Sequence, residues 1–142
     1  MLIAWLGATV LAVFGFIAGP AAPVPYKTLD AGDHSGITGR REVVVRTAAE
    51  WTTLWKQHAP GRPRPAVDFA RSTVLGVFLG SRPTPGYSVA IDTIERPGAG
   101  LTVTYRERHP DPGDMLAQML TAPYLLLTID RFDGRVRFVR AP

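Results

Sequence analysis

The strongest constraint on the fold is a rigid segment, residues 80–86 (Gly-Ser-Arg-Pro-Thr-Pro-Gly), that separates two β-type runs. Proline fixes φ and lacks a backbone donor, and glycine permits positive φ, so this segment must turn and cannot continue a strand. It is longer than a tight hairpin needs, and stiff loops of this kind often bind partners. The residues themselves leave two interpretations open, a binding loop and a structural turn.

The β-type runs predict strands of different exposure. Residues 73–79 are apolar on both faces and predict a central strand. Residues 87–91 and 101–105 alternate apolar with polar or small side chains, which is typical of half-buried strands. A short β-branched run at residues 42–46 predicts a first strand.

Two further segments, residues 124–130 and 136–139, flank the dipeptide Asp133-Gly134. Asp-Gly between two apolar runs is a strong signal for a two-residue hairpin loop. Such a loop would pair Ile129 with Phe138, so that apolar side chains face each other. The sequence therefore predicts that these two segments pair as a hairpin.

Residues 47–59 predict a helix. Thr47 and Glu50 have the spacing of a capping box, in which each side chain accepts a hydrogen bond from the other residue's backbone amide. Four residues at helical spacing form an apolar stripe: Trp51, Leu54, Trp55 and His58. We expect the stripe to pack on the sheet, with His58 as a packed or capping residue.

Together these elements predict an α+β fold, in which one amphipathic helix packs on a mainly antiparallel sheet of about six strands. In a variant of this predicted fold, the sheet rolls toward a small sandwich.

Residues 1–19 are uncharged and apolar, and as a helix they would span roughly 28 Å, close to the thickness of a bilayer core. We predict a hydrophobic helix, either a signal peptide or a membrane anchor, at residues 1–22, a linker at residues 23–40 and the domain at residues 41–142.

Composition and residue spacing argue against several classes of function. The 142 residues include no cysteine, which excludes disulfides and thiol chemistry. The net charge is +4, but basic and acidic residues are interspersed, so nucleic acid is not an expected partner. The three histidines lack metal-ligand spacing, and no nucleophile lies on a recognisable elbow. We therefore expect no enzymatic activity, no metal and no cofactor.

Residues 78–89 resemble the "G-x-R-P-T-x-G-Y-S-V" core of the PrcB C-terminal-domain family. Three further segments are similar to the family pattern: Trp51 with Leu54-Trp55, Val67-Asp68-Phe69, and Leu120-Thr121-Ala122-Pro123-Tyr124. Pro85 departs from the pattern, because a small residue is usual there, and the loop should be stiffer for it. The resemblance covers residues 41–139 and implies a small extracytoplasmic domain, as in an accessory subunit of a bacterial surface protease complex.

The resemblance implies a non-enzymatic, extracytoplasmic protein-binding module that is secreted or anchored by its N-terminal segment. Its partner would be a protein, with a protease as one option, and neither nucleic acid nor a small-molecule substrate is expected. The expected contact residues lie in two segments: Arg82, Pro83, Thr84, Gly86, Tyr87, Pro123 and Tyr124.

Two alternatives remain open for the function. Residues 83–87 are distantly similar to the "N-P-T-T-G-Y" loop of chagasin-type cysteine-protease inhibitors, which would imply a protease inhibitor. The other alternative is a structural envelope domain without a specific partner.

Overall fold

The structure, a computed structural model, describes residues 21–142. Within them the chain forms one helix and two mainly antiparallel sheets of four strands each. The elements in chain order are β1 (Ala22–Pro23), β2 (Lys27–Gly32), β3 (Arg41–Val45), α1 (Ala48–His58), β4 (Ser72–Phe78), β5 (Ser88–Arg96), β6 (Leu101–Arg108), β7 (Tyr124–Asp130) and β8 (Val136–Arg140).

The fold has three layers: the helix, an inner sheet and an outer sheet. The inner sheet has the strand order β2-β7-β4-β3 and the outer sheet the order β1-β5-β6-β8. Side chains of β4 alternate between two apolar cores, with Val74 and Phe78 packed toward the helix and Leu75 packed toward the outer sheet. The predicted α+β class is confirmed, but two sheets replace the single sheet of about six strands.

Helix α1 forms where the sequence predicted it. Thr47 is its N-cap, and its hydroxyl accepts a hydrogen bond from the amide of Glu50 at 3.2 Å. The Glu50 carboxylate reaches back one residue further than a capping box requires and accepts from the amide of Arg46 at 3.3 Å. The four residues of the predicted stripe are buried: Trp51, Leu54, Trp55 and His58.

The strand registers give the molecule two distinct ends. The loop end carries residues 79–87, between β4 and β5, and residues 109–123, between β6 and β7. The turn end carries residues 97–100, between β5 and β6, and residues 131–135, between β7 and β8. The two ends lie about 25 Å apart, because β6 has eight residues and a strand rises roughly 3.3 Å per residue.

The predicted hairpin of β7 and β8 is wrong. β7 belongs to the inner sheet, whereas β8 pairs in parallel with β6 in the outer sheet. Phe132 is buried between the sheets, and its amide donates to Thr73 Oγ1 at 3.0 Å, so the chain crosses from one sheet to the other. Gly134 does not adopt the positive φ that a two-residue type I′ turn requires.

The predicted linker at residues 23–40 also needs correction, because β2 lies within it and pairs antiparallel with β7. The sequence predicts a linker here because the segment holds few apolar residues. An edge strand gains much of its stabilisation from backbone pairing and needs few apolar side chains. Leu29 and the buried Ile37 nevertheless pack in the core beneath the helix.

The hydrophobic helix predicted at residues 1–22 falls almost entirely on residues outside those that the structure describes. Among residues 21–142, the single helix α1 is neither long nor apolar enough to cross a membrane.

Candidate functional site

The Pro-rich loop at residues 80–86 is fastened to the segment that precedes β7. The amide of Arg82 donates to the carbonyl of Thr121 at 2.8 Å, and the amide of Thr121 donates back at 2.9 Å. The Thr121 hydroxyl also donates to the carbonyl of Thr84 at 3.0 Å. The two segments in which we expected contact residues are therefore neighbours at the loop end.

Arg82 is held by a carboxylate on the outer sheet. Its guanidinium donates through Nε and Nη2 to the two oxygens of Glu107, with the Nη2 distance at 2.9 Å. Arg140 of β8 donates to the same carboxylate at 2.6 Å. Hydrogen bonding to Arg82 lowers the pKa of Glu107, although burial of the carboxyl acts in the opposite direction. The charge of Arg82 thus serves to fix the loop on β6.

Gly86 ends the loop in a conformation that favours glycine. Its φ is +98°, and a Cβ at this position would lie 2.7 Å from Pro110 Cβ in the facing loop. The next residue, Tyr87, packs edge-on against His109, with ring centroids 5.5 Å apart. The Arg82 guanidinium lies 5.9 Å from the centroid of the Tyr87 ring. Backbone and side chains therefore both hold the loop against residues 109–110.

Exposure divides the seven expected contact residues into three groups. Pro83 and Gly86 are exposed, whereas Arg82, Thr84 and Tyr87 are half-buried. Pro123 and Tyr124 are buried. The expectation that Pro123 and Tyr124 contribute to a contact surface is therefore wrong for this structure, because Tyr124 faces the helix and packs in the core.

The largest exposed apolar side chains at the loop end lie where the sequence analysis named no site. Met115 is fully exposed, and Leu120 and Met119 are 74% and 46% exposed. They stand within six residues that carry no charge, Met-Leu-Ala-Gln-Met-Leu. That uncharged run was the signal that could have identified them. Residues 115–120 lead directly into Thr121, so this apolar surface adjoins the Pro-rich loop.

A second polar cluster surrounds His58 at the end of α1. Its Nδ1 lies 2.8 Å from Ser35 Oγ, and its Nε2 lies 3.2 Å from Asp30 Oδ2. Arg62 donates to Asp30 at 3.2 Å and to the Tyr124 hydroxyl at 3.3 Å. The prediction of a packed histidine is confirmed, but no sequence signal identified Ser35 and Asp30 as its partners.

The protonation states of this cluster follow from its surroundings. Burial lowers the pKa of His58 below its ordinary 6.5, although Asp30 acts in the opposite direction. Burial acts to raise the pKa of Asp30, but hydrogen bonds from Arg62, His58 and Tyr124 outweigh it, so that pKa falls below its ordinary 3.8. A neutral ring beside a charged carboxylate donates from Nε2 to Asp30 and accepts the Ser35 hydroxyl at Nδ1.

In residues 21–142, no group of three or more histidine, cysteine or carboxylate side chains could hold a metal ion. The expectation that the protein works without a metal or cofactor stays a prediction.

Comparison with known proteins gives one match. Residues 73–130 match the model of the family described as PrcB C-terminal. This region runs from β4 to the end of β7 and includes the Pro-rich loop, Glu107 and residues 115–120. Neither the curated proteins nor the solved structures contain a match to the chain. Over residues 73–130 this match confirms the resemblance to the PrcB C-terminal-domain family that the motifs indicated.

Proposed function

We propose that the domain is a non-enzymatic protein-binding module outside the cytoplasm, similar to an accessory subunit that supports a protease complex. The family match suggests an accessory domain of a protease-associated protein. One observation carries the finer proposal: three of the four exposed large hydrophobic residues in the described chain lie together in residues 115–120. Exposed apolar side chains that cluster beside a rigid loop are a common mark of a protein contact.

The proposed contact surface combines residues 115–120 with the exposed part of the Pro-rich loop. Methionine adapts its shape to a partner, and it supplies apolar area without a fixed geometry. Pro83 and the fastened Gly86 add a surface that loses little conformational entropy on binding. Arg82 acts in this proposal as a support of the loop rather than as a contact, because Glu107 already holds its guanidinium.

In this proposal the cluster of Ser35, His58 and Asp30 has a structural role and not a catalytic one. Their connectivity resembles that of a hydrolytic triad, with the two ring nitrogens exchanged. The Ser35 hydroxyl, however, is buried and accepts a hydrogen bond from the amide of Ile37 at 3.0 Å. The amides of Ser35 and Gly36 donate to protein carbonyls, so neither is free to stabilise an oxyanion.

The test is capture of a partner from the membrane fraction of the native host by the full-length chain. Leu120→Glu places a charge in the proposed surface and should lower the affinity for the captured partner by about tenfold or more. Ala66→Glu is the matched control, because Ala66 is also exposed but lies in the connection between α1 and β4. Equal capture by both variants would contradict the proposed surface.

The same preparations separate the two alternatives. Inhibition of a papain-like protease that is lost with changes in residues 83–87 would indicate the chagasin-like inhibitor. If the parent captures no protein that Leu120→Glu fails to capture, a structural envelope domain is favoured.

A further inference from the structure

The start of the described chain is built into the turn end of the outer sheet. Ala22 pairs with Arg96 and Pro23 pairs with Glu95, both on β5. The amide of Val24 then donates to the carbonyl of Ile94 at 2.8 Å. The chain is therefore held on the sheet from its second described residue onward.

Very little chain separates β1 from the apolar segment that precedes it. The uncharged apolar segment runs to residue 19, and β1 begins at Ala22, so Pro20 and Ala21 are the whole connection. Two residues span at most about 7 Å when fully extended. A membrane-embedded segment 1–19 would thus bring the turn end to the bilayer surface.

The side chains at the turn end suit a lipid headgroup region. Tyr26 is 46% exposed, and tyrosine is enriched at membrane interfaces. Basic residues are more numerous here than acidic ones, and both kinds lie at the ends of strands, at the start of the helix or in the connections: Lys27, Arg46, Arg71, Arg96, Arg131, Arg135 and Arg137, against Glu50, Asp68, Glu95, Asp130 and Asp133. An anionic leaflet attracts basic side chains that lie close to its surface.

We propose that the turn end lies against the phospholipid bilayer and that the loop end points away from it. The inference rests on the anchored form of the proposed function, and it adds an orientation to it. With the two ends about 25 Å apart, the Pro-rich loop and residues 115–120 stand clear of the headgroups. The partner would accordingly approach from the side opposite to the membrane.

The absence of native cysteine makes a direct test simple. Ala99→Cys places a thiol in an exposed turn at the turn end, and Ser81→Cys places one in the exposed loop at the other end. Each full-length variant is labelled with a fluorophore and reconstituted in vesicles of phosphatidylcholine and phosphatidylglycerol. Lipids with a nitroxide on the headgroup then quench probes that lie at the bilayer surface.

The expected result is loss of most of the fluorescence at residue 99 and little loss at residue 81. Equal quenching at the two positions, or stronger quenching at residue 81, would overturn the orientation. Mass spectrometry of the chain recovered from native membranes provides the second check, because a chain that lacks residues 1–21 would also overturn the proposal. Equal partner capture by Leu120→Glu and Ala66→Glu would leave both readouts unchanged, so failure of the binding proposal is recognised separately.

Discussion

The carboxylate of Glu107 is the charged group that fixes Arg82 of the Pro-rich loop to the outer sheet. Its side chain is only 3% exposed, and it accepts hydrogen bonds from both Arg82 and Arg140. The sequence showed Arg82 without a partner along its own strand, because Glu107 lies 25 residues away on another element. Ion pairs between distant segments have no local signature, so this part of the site could not be predicted from spacing.

Glu107→Gln keeps the shape of the side chain but removes its charge. We expect it to lower the free energy of unfolding by about 2 kcal/mol, because hydrogen bonds to a charged group contribute roughly that much. Chemical denaturation measures the change, with Glu95→Gln on the neighbouring strand as the matched control. Since the pKa of Glu107 is lowered in the fold, its contribution is present above its ordinary pKa of 4.5 and disappears as the pH falls further. Equal loss in the two variants would show that the ion pairs do not support the fold.

The burial of His58 leads to a separate prediction about how the stability of the fold depends on pH. Because burial lowers its pKa in the folded state, the unfolded chain binds a proton that the folded chain does not, starting below its ordinary pKa of 6.5. Stability should therefore fall as the pH decreases below that value. The groups that face the ring are Ser35, Asp30, Arg62 and Tyr124, of which Asp30 alone favours protonation.

Unfolding curves of the parent and of His58→Gln across about pH 5–8 measure this effect. The variant cannot titrate at this position, so its stability should depend less on pH in that range, whatever its absolute stability. An identical dependence in both proteins would assign the effect to other groups.

At the scale of the elements, helix α1 was predictable and the pairing of β7 and β8 was not. Helix signals are local: the cap at Thr47 and the stripe from Trp51 to His58 lie within a dozen residues. The pairing of two strands depends also on the segment that connects them, because that segment can be buried against a surface formed by distant parts of the chain. Phe132, buried between the two sheets, decided that outcome against the local Asp133-Gly134 signal.

Trp55→Ala tests how much of the fold the helix layer supports. The side chain is 4% exposed and packs in the core between α1 and the inner sheet. Large-to-small changes at such positions lower the free energy of unfolding by about 3–5 kcal/mol, which corresponds to a fall in Tm of roughly 10–20 °C. Calorimetry measures the shift, and Thr53→Ala on the exposed face of the same helix is the control. A shift no larger than that of the control would mean that the helix is not an integral layer.

At the scale of the molecule, the sequence indicated the α+β class but not the division into two sheets. A pattern of alternation shows that a strand is half-buried, but it does not say which sheet covers it. The fully buried β4 was predicted as a central strand, and it does lie between β3 and β7. The polar β2 was missed because an edge strand has little apolar pattern to detect.

A truncation that removes residues 136–142 should prevent folding. It deletes β8, leaves β6 as an exposed edge, and takes Val136 and Phe138 from the core. Circular dichroism and proteolysis of the full-length and truncated chains compare the two states, and removal of Pro142 alone is the control. A truncated chain that still unfolds cooperatively would show that β8 is dispensable.

The crossing of the chain from β7 to β8 also determines when the protein can fold. β8 pairs with β6 across an intervening strand and a long loop. Such non-local contacts form slowly and only after both strands are available. While a ribosome or a translocation channel still holds β8, the outer sheet lacks its last strand and exposes apolar surface. The domain therefore reaches its stable form only after β8 has been synthesised and released, and the interval before that is when a chaperone would bind it.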